Sequence, residues 1–530
     1  MKRNKFWHRG EHWVWFTGLA LSMILGSALI LFMVVVKNGA GAFWPYSLQL
    51  WHLKDQTSCL GQLVHVDKDS IQGRRYQIKV ANRDLYGMDF RWIADKDIAA
   101  TEQPAHAVIL ERKEYGNFFG FLENTNGNTD ISASEEEKWK QFVLDLKSIK
   151  KDVLIRAKIE DQISEINNQI EKIHFKKIKI RQQSENKQIS LLENKETQLK
   201  NHFNEQMKNL EQISQTLLSK KALFKDVQGQ IKEIPLANIV WFFQPNQMTW
   251  LDKSIYYIKK IGELLWDNPR EANTEGGLFP AIFGTIMLVL LMSLVSFPFG
   301  VITGVYLSEY SKDTLIVRLI RIAVNNLAGI PSIVFGVFGL GFFVYIIGGT
   351  IDQWFFSERL PTPTFGTGGI LWASATLALL TMPVVIISTE EALRSIPAGI
   401  REAALALGST KIQIIARLLL PLATPGIMTG FILSMARAAG EVAPLMITGV
   451  VKLAPTLPLN TEFPFLHLDR KFMHLGFHIY DVGFQSPNVE AAKPMVFITT
   501  LLLVFIVVVM SGFAIYLRNK MKERYTIKSL

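Results

Sequence analysis

The chain has 530 residues, 49% of them hydrophobic and 20% charged, with a formal net charge of +10. A soluble protein of this length would hold about three or four domains, but long uncharged runs exclude that class. A nucleic-acid surface is excluded as well, because the lysines and arginines gather beside the ends of the apolar runs rather than in one patch.

Candidate spans lie at about 13–36, 279–306, 322–348, 369–389, 422–449 and 494–517. Each has around 20 largely uncharged residues or more, enough to cross about 30 Å of hydrocarbon as a helix. The first run follows Lys2, Arg3, Lys5 and Arg9, and so looks at first like a signal peptide. Its apolar stretch of about 24 residues is longer than the roughly 7–15 of a signal-peptide core, which predicts an uncleaved anchor. Basic residues flank the spans at the N-terminus, at Lys312, Arg318 and Arg321, at Arg394, Arg401, Lys411 and Arg417, and in the tail, whereas the connection 350–368 holds only Arg359. This asymmetry predicts that the N-terminus (1–12) and the tail (518–530) are cytoplasmic. The long insertion 37–278 is then external. Its single cysteine, Cys59, excludes an intrachain disulfide.

Within the insertion, residues 59–130 alternate apolar and polar positions between Asn, Asp and Gly clusters, which predicts a small β-rich part. Residues 134–234 predict an α-helical coiled coil. Ile159, Ile163, Ile166, Ile170 and Ile173 form one heptad seam, and Leu199, Phe203, Leu210, Ile213 and Leu217 a second. The two seams are out of register, so a break near Gln182–Lys187 predicts an antiparallel hairpin. A single continuous helix that dimerises is the alternative. Such an element contacts a partner protein or braces the external face, and neither reading implies catalysis.

Between the fourth and fifth spans, residues 391–421 predict two short cytoplasmic helices with a sharp joint. Gly408 stands where a left-handed C-terminal cap is wanted, Ser409 or Thr410 supplies the next N-cap, and Pro421 follows a helix running from Lys411 toward Leu420. Glu402-Ala403-Ala404, Gly408 four residues beyond Ala404, and the ending Leu418-Leu419-Leu420-Pro421 resemble the EAA loop of ABC importer permeases. The resemblance implies that Glu402, Ala403, Ala404, Gly408 and Pro421 couple the chain to an ATPase subunit.

The stretches "NTEGGLFPAIFGT" (273–285), "YLSEY" (306–310), "PSIVFG" (331–336) and "ARAAGEVAPL" (436–445) narrow the resemblance to the PstA-type permease subunit of the bacterial phosphate importer. It covers about residues 270–450 and leaves the insertion unexplained. It implies an all-α polytopic membrane protein with six transmembrane helices in the type I ABC importer permease fold, in which 279–517 form a five-helix core and 13–36 a preceding helix. It also implies a bacterial inner-membrane location, with an ATPase dimer, a second homologous permease subunit and a periplasmic phosphate-binding protein as partners besides membrane lipid. No Gly-x4-Gly-Lys-Ser/Thr loop occurs. ATP and Mg therefore belong to the partner ATPase; no cofactor is expected on this chain, and the ten histidines show no metal-ligand spacing.

The fifth candidate span carries Arg437 and Glu441 at its centre. A mid-span arginine costs on the order of 2.5–3.5 kcal/mol on insertion scales. A continuous helix would align Ser434, Arg437, Glu441, Pro444 and Thr448 in one stripe. The functional reading makes Ser434, Arg437, Glu441 and Thr448 a substrate path, since a guanidinium donates two parallel hydrogen bonds to a phosphate-like anion. A structural ion pair between subunits is the bland reading. Other oxyanions (sulfate or molybdate) remain alternative cargoes, and a membrane scaffold or sensor built on the coiled coil is an alternative of a different class.

Overall fold

The structure is a computed structural model, and it describes residues 10–69, 73–125, 134–182, 186–460, 463–486 and 488–525. The chain divides into two compact units. The membrane unit comprises Met1–Ala42, Leu264–Pro269 and Gly276–Leu530, and the inserted unit comprises Phe43–Glu263 and Arg270–Glu275. Among the described residues, six helices are long and apolar enough to cross a membrane.

Helix α1 (Glu11–Ala40) opens the membrane unit. Its apolar side chains are exposed, as expected of a helix whose surroundings are lipid. Near its end, Gly39 packs so tightly on Leu501 that a Cβ would lie 2.5 Å from the leucine Cδ1.

The inserted unit carries more β structure than its sequence advertises. Strands β1 (Gln49–Leu53), β2 (Ser58–Asp69) and β3 (Gly73–Lys79) precede a short helix α2 (Arg83–Tyr86). Strands β4 (Phe90–Ala94), β5 (Ile98–Glu102), β6 (Val108–Arg112) and β7 (Asn117–Thr125) follow it. The hairpin comes next: α3 (Glu135–Gln182) and α4 (Asn186–Ser219). The chain then returns as β8 (Lys221–Lys225), β9 (Ile231–Pro235) and β10 (Ile239–Phe243). Two antiparallel five-stranded sheets result, ordered β4-β3-β2-β1-β5 and β10-β6-β7-β8-β9. The hairpin is therefore an excursion from the second sheet, between β7 and β8.

This corrects two expected boundaries. The helical part ends at Ser219 rather than 234, because Ala222, Phe224 and Ile234 alternate inward on paired strands and join the core with Phe118 and Phe142. The β part begins at Gln49 rather than 59. Helices α3 and α4 run antiparallel: Lys177 bonds Glu196 at 2.7 Å, while Lys220 reaches Asp152 at 3.4 Å. The expected break near Gln182–Lys187 falls partly on 183–185, which lie outside the described residues.

After α5 (Trp250–Trp266), the membrane unit resumes with α6 (Phe279–Val305), whose last turn widens into a π-turn over Tyr306–Tyr310. Helix α7 (Leu315–Leu327) is separate from the third span. That span, α8, covers Ser332–Phe355 rather than beginning at 322. Pro331 disfavours helical backbone at Ile330, so the run 322–348 divides there. Asn325 and Asn326 sit in the last turn of α7.

Helices α9 (Ile370–Arg394), α10 (Ala398–Ala406), α11 (Lys411–Gly440), α12 (Ala443–Thr448), α13 (Leu475–Tyr480) and α14 (Val489–Tyr525) complete the unit. Helix α9 is clasped on two sides by glycines. Gly300 and Gly304 of α6 meet Val385 and Thr389, and Gly426 and Gly430 of α11 meet Ala392 and Ser388. Small residues four apart let helix backbones approach where lipid offers no hydrophobic drive between helices.

Candidate functional site

Helix α11 ends at Gly440, and Glu441 is extended (φ −79°, ψ 131°) before α12 begins. The cause is Pro444. Its ring would clash with the carbonyl of Gly440 one turn earlier, and it has no N–H to offer that carbonyl. The expected single span over 422–449 is therefore interrupted at its most charged point, and Ser434, Arg437, Glu441, Pro444 and Thr448 do not share one helical face.

The break still brings Arg437 and Glu441 together, with Arg437 Nε donating to Glu441 Oε1 at a long 3.4 Å. Their side chains are 35% and 21% exposed, so the pair is reachable, and among the described residues the arginine's terminal nitrogens bond nothing else. Ser434 and Thr448 differ. Both are buried, and their hydroxyls donate to the carbonyls of Gly430 and Pro444 at 2.9 Å. They support the two helix ends rather than line an open path in this conformation.

Glycines wedge the break from three sides. A Cβ at Gly336 of α8 would lie 2.7 Å from Pro444 Cα, one at Gly368 would lie 2.8 Å from the Thr448 carbonyl, and one at Gly476 would lie 2.8 Å from Val442 Cγ2. The segment bearing Gly476 is held in turn by Thr285 of α6, whose hydroxyl accepts from the Leu475 N–H at 2.9 Å. Sequence reading missed this segment, because its contacts are about 190 residues apart in the chain.

The second candidate region is the α10–α11 pair. Gly408 has φ +78°, and its N–H donates to the Leu405 carbonyl while the Ser409 N–H reaches that of Ala404. This is a left-handed cap of the kind glycine favours. Thr410, not Ser409, is the following N-cap. It makes a capping box in which Gln413 N–H donates to Thr410 Oγ1 and Thr410 N–H donates to Gln413 Oε1. The helix does not stop before Pro421 as its sequence suggests. A π-turn over Ile415–Leu419 precedes Pro421, and the helix runs on to Gly440. Widening the turn is one way to pass a residue that cannot donate to the preceding turn.

Glu402, Ala403 and Gly408 are exposed, whereas Ala404 packs with Ile400 onto a core that includes Leu393, Ile414 and Leu419. Leu405, Leu407 and Ile412 point outward and are 57%, 87% and 71% exposed. A residue that sequence reading had counted only as a positive charge anchors the pair. Arg401 donates to Glu309 Oε1 at 2.8 Å and to the carbonyls of Leu393 and Ile396, each at 2.7 Å.

Among the described residues, six apolar spans, a charged break inside the fifth and an anchored helix pair with an exposed apolar face make this a multi-pass membrane protein. A family model for the binding-protein-dependent transport system inner membrane component matches residues 296–523. The probable ABC transporter permease protein YqgI of Bacillus subtilis (strain 168) is 32% identical over 223 residues, covering 41% of this chain and 70% of that protein. The phosphate transport system permease protein PstA of Mycobacterium leprae (strain TN) is 37% identical over 172 residues, 32% of this chain, which spans about half (51%) of that relative's length. A chain of the MetNI methionine ABC transporter, solved in inward-facing conformations, aligns with a TM-score of 0.35 at 21% identity, covering 46% of this chain and 95% of that one. The chain belongs to the family of binding-protein-dependent transport system inner membrane components, the permease subunits of ABC transporters.

Proposed function

We propose that this chain is a permease subunit of an ATP-driven phosphate importer, with the anion passing beside Arg437. The PstA relative supports phosphate as cargo. The observation that carries the reading is the partly exposed Arg437 side chain, held at a helix break by one long bond to Glu441. A forked donor of this kind suits an oxyanion, and the nearby carboxylate offsets its charge when no anion is bound.

The coupling partner is a dimer of ATPase subunits that binds ATP and Mg. Its dock is Glu402, Ala403 and Gly408 with the exposed Leu405, Leu407 and Ile412; an uncovered apolar face of this kind suits a protein interface. A second homologous permease chain, a periplasmic phosphate-binding protein and surrounding lipid complete the assembly. It sits in a bacterial inner membrane with both termini cytoplasmic.

The test is phosphate uptake into vesicles bearing the assembled complex, with sulfate and molybdate as competitors. Arg437→Ala is expected to abolish uptake while the subunits still co-purify, and excess sulfate or molybdate to leave wild-type uptake unchanged. Normal uptake by the variant would exclude Arg437 from the path. Equal inhibition by molybdate would make the cargo a broader class of oxyanion.

A further inference from the structure

The inserted unit contains a cavity of about 340 Å³ that the transport reading does not use. Cys59 and Leu60 of β2 and Val80 beyond β3 form one wall. Tyr86 and Met88 form a second, and Val227, in the β8–β9 turn, closes the third. The cavity thus lies where elements of the two sheets meet, and its size is at the lower end for small-molecule sites.

Most polar groups around it are already committed. The Asn82 amide donates to the Phe119 carbonyl at 2.9 Å and accepts from the Phe119 N–H at 2.7 Å. Tyr86 Oη donates to Asp226, whose other oxygen accepts from the Gln230 N–H at 2.7 Å. These bonds fix the frame and leave the walls largely apolar.

Among the described residues lining the cavity, Arg91 is the single charged one. Its guanidinium makes no hydrogen bond or ion pair among the described residues. The acid in its field, Asp55, is taken by the N–H and hydroxyl of Thr57, at 3.0 and 2.6 Å. The cavity therefore combines one uncommitted forked cation and the Gln228 amide with a largely apolar body. Inorganic phosphate is a poor match, since a divalent anion among largely apolar walls with a single cationic group loses much of its hydration uncompensated. An amphipathic monoanion loses little and gains apolar contact.

We infer that this cavity binds a small organic carboxylate, its acid group on the Arg91 guanidinium and its body against Leu60, Val80, Met88 and Val227. The site is independent of the cargo path and its ligand differs in kind from the proposed cargo.

The chain supplies its own reporter. Cys59 is the only cysteine, 7% exposed, with its thiol pushed up to about 11 by burial. It should react slowly with N-ethylmaleimide, and more slowly still when the cavity is filled. The full chain, purified in detergent, is titrated calorimetrically with hexanoate, benzoate, their neutral amides and inorganic phosphate, and Cys59 labelling is followed in parallel. Hexanoate or benzoate is expected to bind and protect Cys59, with the amides weaker by about tenfold or more, the factor that a charge-assisted bond supplies. Arg91→Met keeps the apolar volume and removes the charge, and should bring acid and amide to equal affinity. Val227→Trp keeps Arg91 and fills the mouth, and should abolish binding of both. Equal binding of acids and amides by the wild type, unchanged binding by either variant, protection by phosphate as good as by the acids, or no binding of either acid would overturn the assignment.

Discussion

Arg401 joins three parts of the membrane unit at once, donating to Glu309 in the π-turn after α6 and to the carbonyls of Leu393 at the end of α9 and Ile396 just beyond it. The helix that carries the candidate ATPase dock is thereby fixed to two spans of the bundle. Arg401→Ala would remove the cationic donor from a carboxylate that is 10% exposed, leaving it only the Ser308 hydroxyl, and would take one donor each from the Leu393 and Ile396 carbonyls. Losing one partner of a buried pair costs about 3–5 kcal/mol, and the arginine's own 24% exposure puts this case toward the lower end. Uptake should fall sharply and the melting temperature should drop. The ATPase subunit should still co-purify, because Leu405, Leu407 and Ile412 are untouched. Arg401→Lys keeps the charge but not the fork, and should fall between. Unchanged uptake in the alanine variant would remove Arg401 from the coupling route.

Gly408 separates backbone strain from crowding. Its φ is +78°, and a Cβ placed there would meet nothing within 4 Å. Only the left-handed conformation opposes a side chain, so Gly408→Ala should cost about 1–2 kcal/mol of local stability, and Gly408→Val more. Coupled ATPase activity and uptake should decline in the order Gly, Ala, Val. If valine matched alanine and both matched wild type, the turn would not be part of the coupling element.

What could be read in the sequence was whatever local chemistry decides. Long apolar runs marked the spans, Gly408 announced a left-handed cap with Ser409 or Thr410 as the next N-cap, and the isoleucines from 159 to 173 announced a seam. The break after Gly440 was legible in principle, since Pro444 stands one turn beyond it, but average hydropathy across 422–449 hid it. Contacts between distant residues were not legible. Arg401 and Glu309 are 92 residues apart, and β8 finds its partner β7 only across the whole hairpin. Alternation alone could not assign Lys221–Pro235 to a sheet whose strands β6 and β7 had passed about a hundred residues earlier.

The glycine clasp around α9 makes a prediction that composition alone would not. A Cβ at Gly430 would lie 2.4 Å from both Cβ and Oγ of Ser388. Gly430→Ala should therefore overpack the interface at a cost of about 1–3 kcal/mol, read as a lower melting temperature in detergent with weaker uptake. Ser388→Gly in the same chain returns the space and should recover most of both. A double variant no better than the single would mean that the two residues do not meet.

In the hairpin, Lys177 and Glu196 each extend a heptad seam, so their 2.7 Å pair stands where apolar residues usually do. Glu196 is held down to about 2, first by the hydrogen bond from Lys177 and then by that from Lys200. A carboxylate depressed in the folded state stabilises fully above its unfolded value near 4.3. That contribution is lost as pH falls from there through about 2. The hairpin should accordingly loosen on acidification across this window. Spin labels at His174→Cys and Gln198→Cys, in a Cys59→Ser background, should report a broadening distance distribution there. Replacing both members, as Lys177→Leu with Glu196→Leu, should remove the acid sensitivity and raise stability, since apolar residues often outperform a buried ion pair. The polar pair's remaining use is to penalise misregistered pairing, so the leucine variant should also show more than one distance between α3 and α4. A distribution that stayed narrow and pH-independent in the parent chain would show that Lys177 and Glu196 do not hold the register.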